Sequence, residues 1–347
     1  MYLENLKRGA VFLFLVFLLP ACQQSTENRQ YALQYSDAVF GTSFTIKVPV
    51  LPNSISSAVL KSDIKQLLDK LNKQMSTYLQ DSELSQINQN QTGEWISVSE
   101  PLYQVLSQAN SISTLSAGSF DITVGPLVNL WGFGPKGLSY LAPTEETIKQ
   151  QLSNTGFQYL LFNDEAHQIK KQNSQLYLDL SAIAKGFAVD QVGLLLDKQG
   201  INNYMVEIGG ELRLKGFNIN NKPWRIAVEK PTANKRMIQK VLPLTDISLA
   251  TSGDYRNFFE QEGIRFSHTI DPRTGKPITH KLASITILSD TTMKADALAT
   301  ALMVLGPEQG YQLAEKESIA ALFIIKTKEG FVEKASSMFV ERFKVTK

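Results

Sequence analysis

Tyr204-Met-Val-Glu-Ile-Gly-Gly-Glu-Leu-Arg-Leu-Lys215 holds two short alternating runs parted by Gly209-Gly210. Tyr204, Val206 and Ile208 fall on every second position of the first run, and Leu212 and Leu214 on every second position of the other. A period of two is the signature of a strand with one covered face, and two glycines between such runs make a tight turn. The stretch therefore reads as a hairpin, which commits the chain to antiparallel pairing; parallel strands need a long crossover. Further strand patterns follow at 224–229, 247–251, 265–270 and 282–288, with a closing hairpin at 320–325 and 330–335. Antiparallel strands mixed with a few long helices argue for an α+β fold rather than a doubly wound sheet.

Working outward, 31–50 reads as two strands broken at Gly41. Helical spacing marks 54–75, 101–116 and 144–155, and 82–88 reads as a short turn or helix. A strand at 176–180 is expected to run straight into a helix over 182–199, which stops at Gly200. The last strong helix is expected over 289–305, ended by Gly306-Pro307.

The first residues do not belong to the fold. Lys7 and Arg8 precede a short apolar run, and Leu19-Pro20-Ala21-Cys22 follows it. The run is too short for a stable bilayer span and reads as a signal sequence. A small residue before a cysteine at its end resembles a bacterial lipoprotein signal, with cleavage before Cys22 and a lipid on its sulfur; the plainer alternative is an ordinary signal with an incidental cysteine. The expected organisation is a signal peptide over 1–21, a lipidated polar tether over 22–35 and one catalytic domain over 36–347. Cys22 is the only cysteine in 347 residues and there are three histidines. Intramolecular disulfides, a cysteine nucleophile and cysteine-based zinc sites are excluded, so a metal would be held by oxygen ligands, which suits Mg²⁺ or Ca²⁺. Net charge is +2 and the basic residues are dispersed, which argues against nucleic acid as a partner.

Four places hold polar residues that a plain scaffold would not need. Asp296 and Thr300 sit four apart in a helix that is apolar almost all round, hence on one face of a buried element. A buried carboxylate needs a partner, either a basic residue or a metal. At Asp179-Leu-Ser181-Ala182-Ile-Ala-Lys185 a strand meets a helix; this end can be a simple cap by Ser181 or Asp179, or it can receive a phosphate with help from Lys185. Ser119-Phe120-Asp121 follows a helix in a loop of small residues that could cradle a planar ligand. Finally, His268-Thr-Ile-Asp271-Pro-Arg-Thr-Gly275 places a histidine beside a turn, and a histidine can exchange a proton near neutral pH.

Taken together these segments resemble the ApbE family of bacterial FAD:protein FMN transferases. The resemblance rests on Phe40-Gly-Thr, Met75-Ser-Thr-Tyr78, Gly118-Ser-Phe-Asp-Ile-Thr, Asp179-Leu-Ser-Ala-Ile-Ala-Lys185-Gly, Ile208-Gly-Gly, Thr251-Ser-Gly-Asp-Tyr, His268 to Gly275, and Ala295-Asp-Ala-Leu-Ala-Thr300, in the family's order. It implies two interlocked T-fold-like halves with the flavin in the groove between them. It also implies FAD contacts at Phe40 (where the family usually has Met), Tyr78, Ser119, Phe120, Asp121, Asp179, Lys185 and the backbone of Ile270. Mg²⁺ would be held by the Ala182 carbonyl, Asp296 and Thr300. The implied reaction is Mg²⁺-dependent transfer of FMN from FAD to a Ser/Thr hydroxyl in an Asp-x-x-Ser/Thr-Gly-Ala-Ser/Thr motif of an exported protein, with release of AMP. His268 is the candidate to position or deprotonate that hydroxyl. The implied location is the periplasmic face of a bacterial membrane, by family habit the inner one, with the lipid on Cys22 as anchor. Two alternatives keep the flavin: a Mg²⁺-dependent FAD pyrophosphatase with water as acceptor, or a non-catalytic flavin-holding lipoprotein. A solute-binding lipoprotein would need two βαβ-rich lobes, which the strand-dense middle of the chain argues against.

Overall fold

The computed structural model describes residues 30–134, 142–232, 237–254, 258–261 and 264–345. The expected signal, Cys22 and most of the tether lie outside them. β1 (Leu33–Val39) and β2 (Thr42–Val48) form the first hairpin, with Leu33 opposite Val48. Leu33 is buried there, so the fold starts earlier than the boundary expected at residue 36. α1 (Ser57–Met75) buries Leu60, Ile64, Leu68 and Leu71 along one stripe. α2 (Glu83–Gln89), the short β3 (Ile96–Ser97) and α3 (Glu100–Leu115) follow. After α4 (Gly125–Leu130) and α5 (Glu145–Leu152), β4 (Leu160–Asn163) and β5 (Gln168–Lys171) join β3 in a small sheet.

Residues 176–180 are not the expected strand: they belong to no ladder. α6 (Ala184–Lys198) begins one turn beyond them. β6 (Tyr204–Ile208) and β7 (Glu211–Lys215) form the hairpin read from the sequence, with Ile208 opposite Glu211. β8 (Trp224–Glu229) and β9 (Ile238–Leu244) make a separate two-stranded sheet, and β10 (Ile247–Gly253) returns to the main one. The strand expected over 265–270 is divided. β11 (Phe258–Gln261) pairs with β12 (Ile264–Ser267), β13 (Ile270–Asp271) pairs with β14 (Lys276–Pro277), and His268 stands in the bend between the two pairs.

β15 (Leu282–Ser289) leads into α7 (Thr292–Lys316), followed by β16 (Ala320–Thr327), β17 (Gly330–Ala335) and α8 (Ser337–Val345). α7 does not end at Gly306. It kinks there (φ 78°, ψ −175°) and resumes to Lys316. A Cβ at Gly306 would stand 2.7 Å from the His280 ring, so both the backbone angle and the space call for glycine. Pro307 opens the second segment, where a missing N–H costs least.

The main sheet has eight antiparallel strands in the order β1-β2-β6-β7-β10-β15-β16-β17. The first hairpin joins β6, with Phe44 opposite Ile208, so segments far apart in the chain share one sheet in an α+β fold. α6 and α7 cover one face through a core that includes Ile64, Phe187, Ile285 and Leu302. The β8–β9 hairpin and α8 cover the other through Trp224, Leu244, Leu288 and Phe339. β15 is buried on both faces, so its Ser284 and Thr286 are buried along with its apolar residues. A third apolar cluster, around Leu127, Trp131, Ile148, Phe259 and Ile270, lies apart from these two.

Candidate active site

α6 and α7 cap each other. A helix start leaves N–H groups without partners. Asp190, buried in α6, accepts the Thr292 and Met293 N–H groups at the start of α7, both at 2.9 Å. Asp296, one turn into α7, accepts the Gly186 N–H of α6 at 3.1 Å. The crossing is so close that a Cβ at Gly186 would lie 2.5 Å from the Thr292 carbonyl oxygen. One consequence bears on chemistry. The Gly186 N–H goes to Asp296 rather than back along the chain, so among the described residues no N–H reaches the Ala182 carbonyl. The sequence allowed Ser181 or Asp179 as the cap of α6. Instead Ile183 holds that position without a side-chain bond, and Asp179 accepts the Ser181 N–H at 2.9 Å.

Lys185 bridges two carboxylates. Its Nζ lies 2.9 Å from Glu211 and 3.7 Å from Asp296. Burial would lower the lysine pKa, and the two acids more than reverse that. Burial pushes Glu211 up to about 7 although Lys185 opposes it, and Asp296 adds to the rise. Asp296 is also raised by burial, against Lys185 and the Gly186 N–H. Two acids share one lysine, and Glu211 Oε2 is buried with no hydrogen-bond partner among the described residues. Thr300 makes no side-chain hydrogen bond among the described residues. Asp296, Thr300 and Ala182 all line one cavity, and a carboxylate, a hydroxyl and a main-chain carbonyl make a donor set of oxygens that fits a hard divalent cation. No group of three or more His, Cys, Asp or Glu side chains among the described residues is placed to bind a metal, so a cation here relies on neutral oxygens beside Asp296.

The segment over 176–180 is extended because side chains replace a ladder. Asn88 donates to the Leu178 carbonyl at 2.9 Å and accepts the Leu178 N–H at 2.7 Å, as a strand neighbour would. Lys171, whose pKa is lowered by burial, donates to the carbonyls of Asn88 and Leu176. The Asp179 N–H reaches the Ile122 carbonyl at 2.7 Å. Asp179, Ser181 and Ala182 are thereby fixed at the cavity wall.

That cavity has a volume of about 930 Å³, near the upper end of the ~300–1,000 Å³ usual for small-molecule sites. Tyr78, Asp179, Lys185, His268, Ile270, Asp296 and Thr300 all border it. His268 approaches from the third apolar cluster, with its ring edge-on to Phe133 at 6.3 Å. The turn behind it is held by other bonds. Arg273 donates twice to Asp271, at 2.9 and 2.8 Å, and Trp131 Nε1 donates to the Gly275 carbonyl at 2.7 Å. A small recess of about 50 Å³ adjoins the cavity and shares Asp179, Ala182, Ile270 and Thr300 with it. Ser119, Phe120 and Asp121 line this recess. Ser119 donates to the Ala301 carbonyl at 3.1 Å, and Asp121, raised by burial, accepts from Thr123 and the Phe157 N–H. Phe40 is the exception among the expected residues: it sits at the β1–β2 turn with φ 51°, packs against the core and does not line the cavity. Glu211 is the residue the sequence did not single out. Its strand alternates Glu, Leu, Arg, Leu and Lys, the pattern of a polar face turned to water, yet α6 covers that face.

Comparison with known proteins bears on these features. The model of the ApbE family matches residues 40–323. A FAD:protein FMN transferase of Vibrio cholerae serotype O1 (strain O395) is 45% identical over 334 residues, covering 96% of this chain and 98% of its own. One from Haemophilus influenzae is 43% identical over 343 residues, covering 97% and 98%. Among solved structures, the flavin transferase ApbE from Vibrio cholerae superposes with a TM-score of 0.83 at 46% identity, over 89% of this chain and 98% of that one. The apo form of the flavinyl transferase ApbE from Pseudomonas stutzeri gives 0.82 at 38% identity, over 90% and 96%.

Proposed function

The chain belongs to the ApbE family, and from that membership and the geometry of its cavity we infer that it transfers FMN from FAD to a serine or threonine hydroxyl of a target protein. The observation that carries the reading is that His268 and the Asp296–Thr300 face of α7 open into one cavity large enough for a dinucleotide. Tyr78, Asp179 and Ile270 form walls against which FAD can lie. The recess at Ser119, Phe120 and Asp121 offers a place for the adenosine end. Asp296, Thr300 and the Ala182 carbonyl would hold Mg²⁺, which when bound would offset the charge of the pyrophosphate and of the departing AMP.

In the reaction, the acceptor oxygen attacks the phosphorus on the FMN side. A new phosphoester bond forms, the anhydride bond breaks, and AMP leaves with the bridging oxygen. His268 holds the acceptor hydroxyl and takes its proton. Lys185 keeps Glu211 and Asp296 from repelling one another, so both carboxylates stay at the cavity wall. The target motif is the Asp-x-x-Ser/Thr-Gly-Ala-Ser/Thr type. The lipid on Cys22 holds the enzyme at the periplasmic face of a bacterial membrane, a reading supported by the basic and apolar run before that cysteine. Among the described residues no helix is long and apolar enough to cross a membrane.

The test uses the domain from residue 30 with FAD, Mg²⁺ and a protein that carries the motif. The intact mass of the acceptor should rise by one esterified FMN while AMP accumulates. Formation of FMN and AMP over an unchanged acceptor would sink transfer in favour of hydrolysis.

A further inference from the structure

β10 has one covered edge and one that is covered only in part. On one side β15 accompanies it from Ser248 to Gly253. On the other, β7 pairs only with Ile247, Ser248 and Leu249. β7 starts at Glu211, just after the Gly209-Gly210 turn, so it cannot reach further. No described strand takes up the second edge beside residues 250–253. Thr251 is exposed there although its strand lies inside an eight-stranded sheet.

A second strand, β8, borders the same cavity. Among the described residues β8 forms a ladder only with β9. Residues 226–229 of β8 and 251–253 of β10 line the cavity without a gap in either run. Side chains of a strand alternate between two faces, so a strand that shows consecutive residues to a cavity shows its edge. The side chains along both edges are small where it matters: Ala250, Thr251, Ser252 and Gly253 on one, Ala227 on the other. A backbone can therefore come close to either.

Unpaired N–H and C=O groups along an edge are a template for another strand. The stretch 250–253 is about 13 Å long at ~3.3 Å per residue. A flavin ring has one short polar edge and would satisfy only a fraction of that length, whereas a polypeptide repeats the complementary groups along all of it. We infer that the open edge of β10 at 250–253 receives an extended segment of the acceptor protein as an added strand. The main-chain ladder sets the register and carries the serine or threonine hydroxyl into the cavity beside His268. This rests on the transferase reading, because only that reaction brings a polypeptide to the site.

Backbone methylation tests it on the unaltered enzyme. Peptides centred on Asp-Ala-Ala-Thr-Gly-Ala-Thr, each N-methylated at one backbone nitrogen, are supplied with FAD and Mg²⁺. A ladder bond is lost only where the N–H faces β10, so KM for the peptide should rise roughly three- to tenfold at every second position and stay level between. KM for FAD should not change. Uniform tolerance, or a loss with no alternation, overturns the proposal. Amide hydrogen exchange provides a second reading that needs no transfer. The unmethylated peptide should slow exchange within 250–253, and FAD alone should not. If no peptide is labelled but this protection is seen, docking stands and the transferase reading fails. Protection by FAD alone assigns the gap to the flavin and overturns docking.

Discussion

Asp296 is the residue on which most of the site turns. It caps α6, faces Lys185 and looks into the cavity. Asp296→Ala should abolish Mg²⁺-dependent FAD consumption, by at least about two orders of magnitude if the cation supplies several kcal/mol. Titration of activity against Mg²⁺ checks this, and a variant that keeps its Mg²⁺ response removes Asp296 from the cation site. His268→Ala should slow transfer by about 10²–10⁴-fold, the usual share of a general base, with FAD affinity near normal. Weak FAD binding in equilibrium titration would instead make His268 a ligand contact. A third residue, far from the cavity, has a pH signature. The buried Tyr103 hydroxyl donates to Asp164, and its pKa is pushed up to about 12, by burial first and then by that carboxylate. The folded state therefore keeps its proton when the unfolded chain, with a tyrosine pKa of about 10, has lost it. Stability from this group is complete below about 10 and fades as pH rises through 12. Denaturant midpoints taken at pH 9 and 11 should fall further apart for the wild type than for Tyr103→Phe. Legibility differs among these residues for a physical reason. Asp296 stands out in the sequence because a carboxylate on an all-round apolar helix has no water to face. Glu211 does not, because an alternating strand supplies polar residues for either solvent or a helix.

The crossing of α6 and α7 is where local structure becomes a site. Each helix accepts the other's unpartnered N–H groups, so neither can shift without freeing the other's start. Gly186→Ala puts a methyl group 2.5 Å from the Thr292 carbonyl and forces the pair apart. Overpacking of this kind costs about 1–3 kcal/mol, so the melting temperature should drop. Mg²⁺ affinity should drop with it, because Asp296 and the Ala182 carbonyl belong to different helices. Calorimetry of metal binding beside a thermal melt separates the two effects. A variant that melts early but binds Mg²⁺ as before would show that the crossing does not set the cation site. The stretch over 176–180 teaches a related lesson. Its apolar alternation reads as a strand, and its backbone is extended, but Asn88 and Lys171 stand in for the neighbour that would have made a ladder. Nothing in the local pattern marks a partner that lies 90 residues away along the chain.

At the scale of the whole molecule, the sheet assembles the cavity from distant segments. The first hairpin pairs with β6, α6 and α7 lie across β6, β10 and β15, and the β8–β9 hairpin covers the opposite face. Tyr78 comes from the end of α1, Asp179 from the centre of the chain and Thr300 from α7, and only this topology makes them neighbours. Tyr31 stacks on Trp224 and the Ala32 N–H reaches the Pro49 carbonyl, so the packing of the described chain extends back to Tyr31. On the proposed lipid anchor, Cys22→Ser should release the enzyme from the membrane fraction while FMN transfer by the released protein stays within about twofold, because the residues that line the cavity begin at Thr77. Fractionation followed by the transfer assay reads both outcomes. A variant that remains with membranes would remove the lipid from the anchoring account.

The antiparallel α+β class, the helix that carries Asp296 and Thr300 and the turn after His268 are legible in the residues themselves. These are local matters, written in periods of two and 3.6, in glycine and proline, and in polar residues set where apolar ones belong. Only the folded molecule shows that Lys185 bridges Glu211 and Asp296, that Phe40 stays with the core, that α7 continues past Gly306, and that the pairing of β7 with β10 stops at Leu249. Each of those depends on which segment lies across from which, and the pattern within a segment does not encode its neighbour.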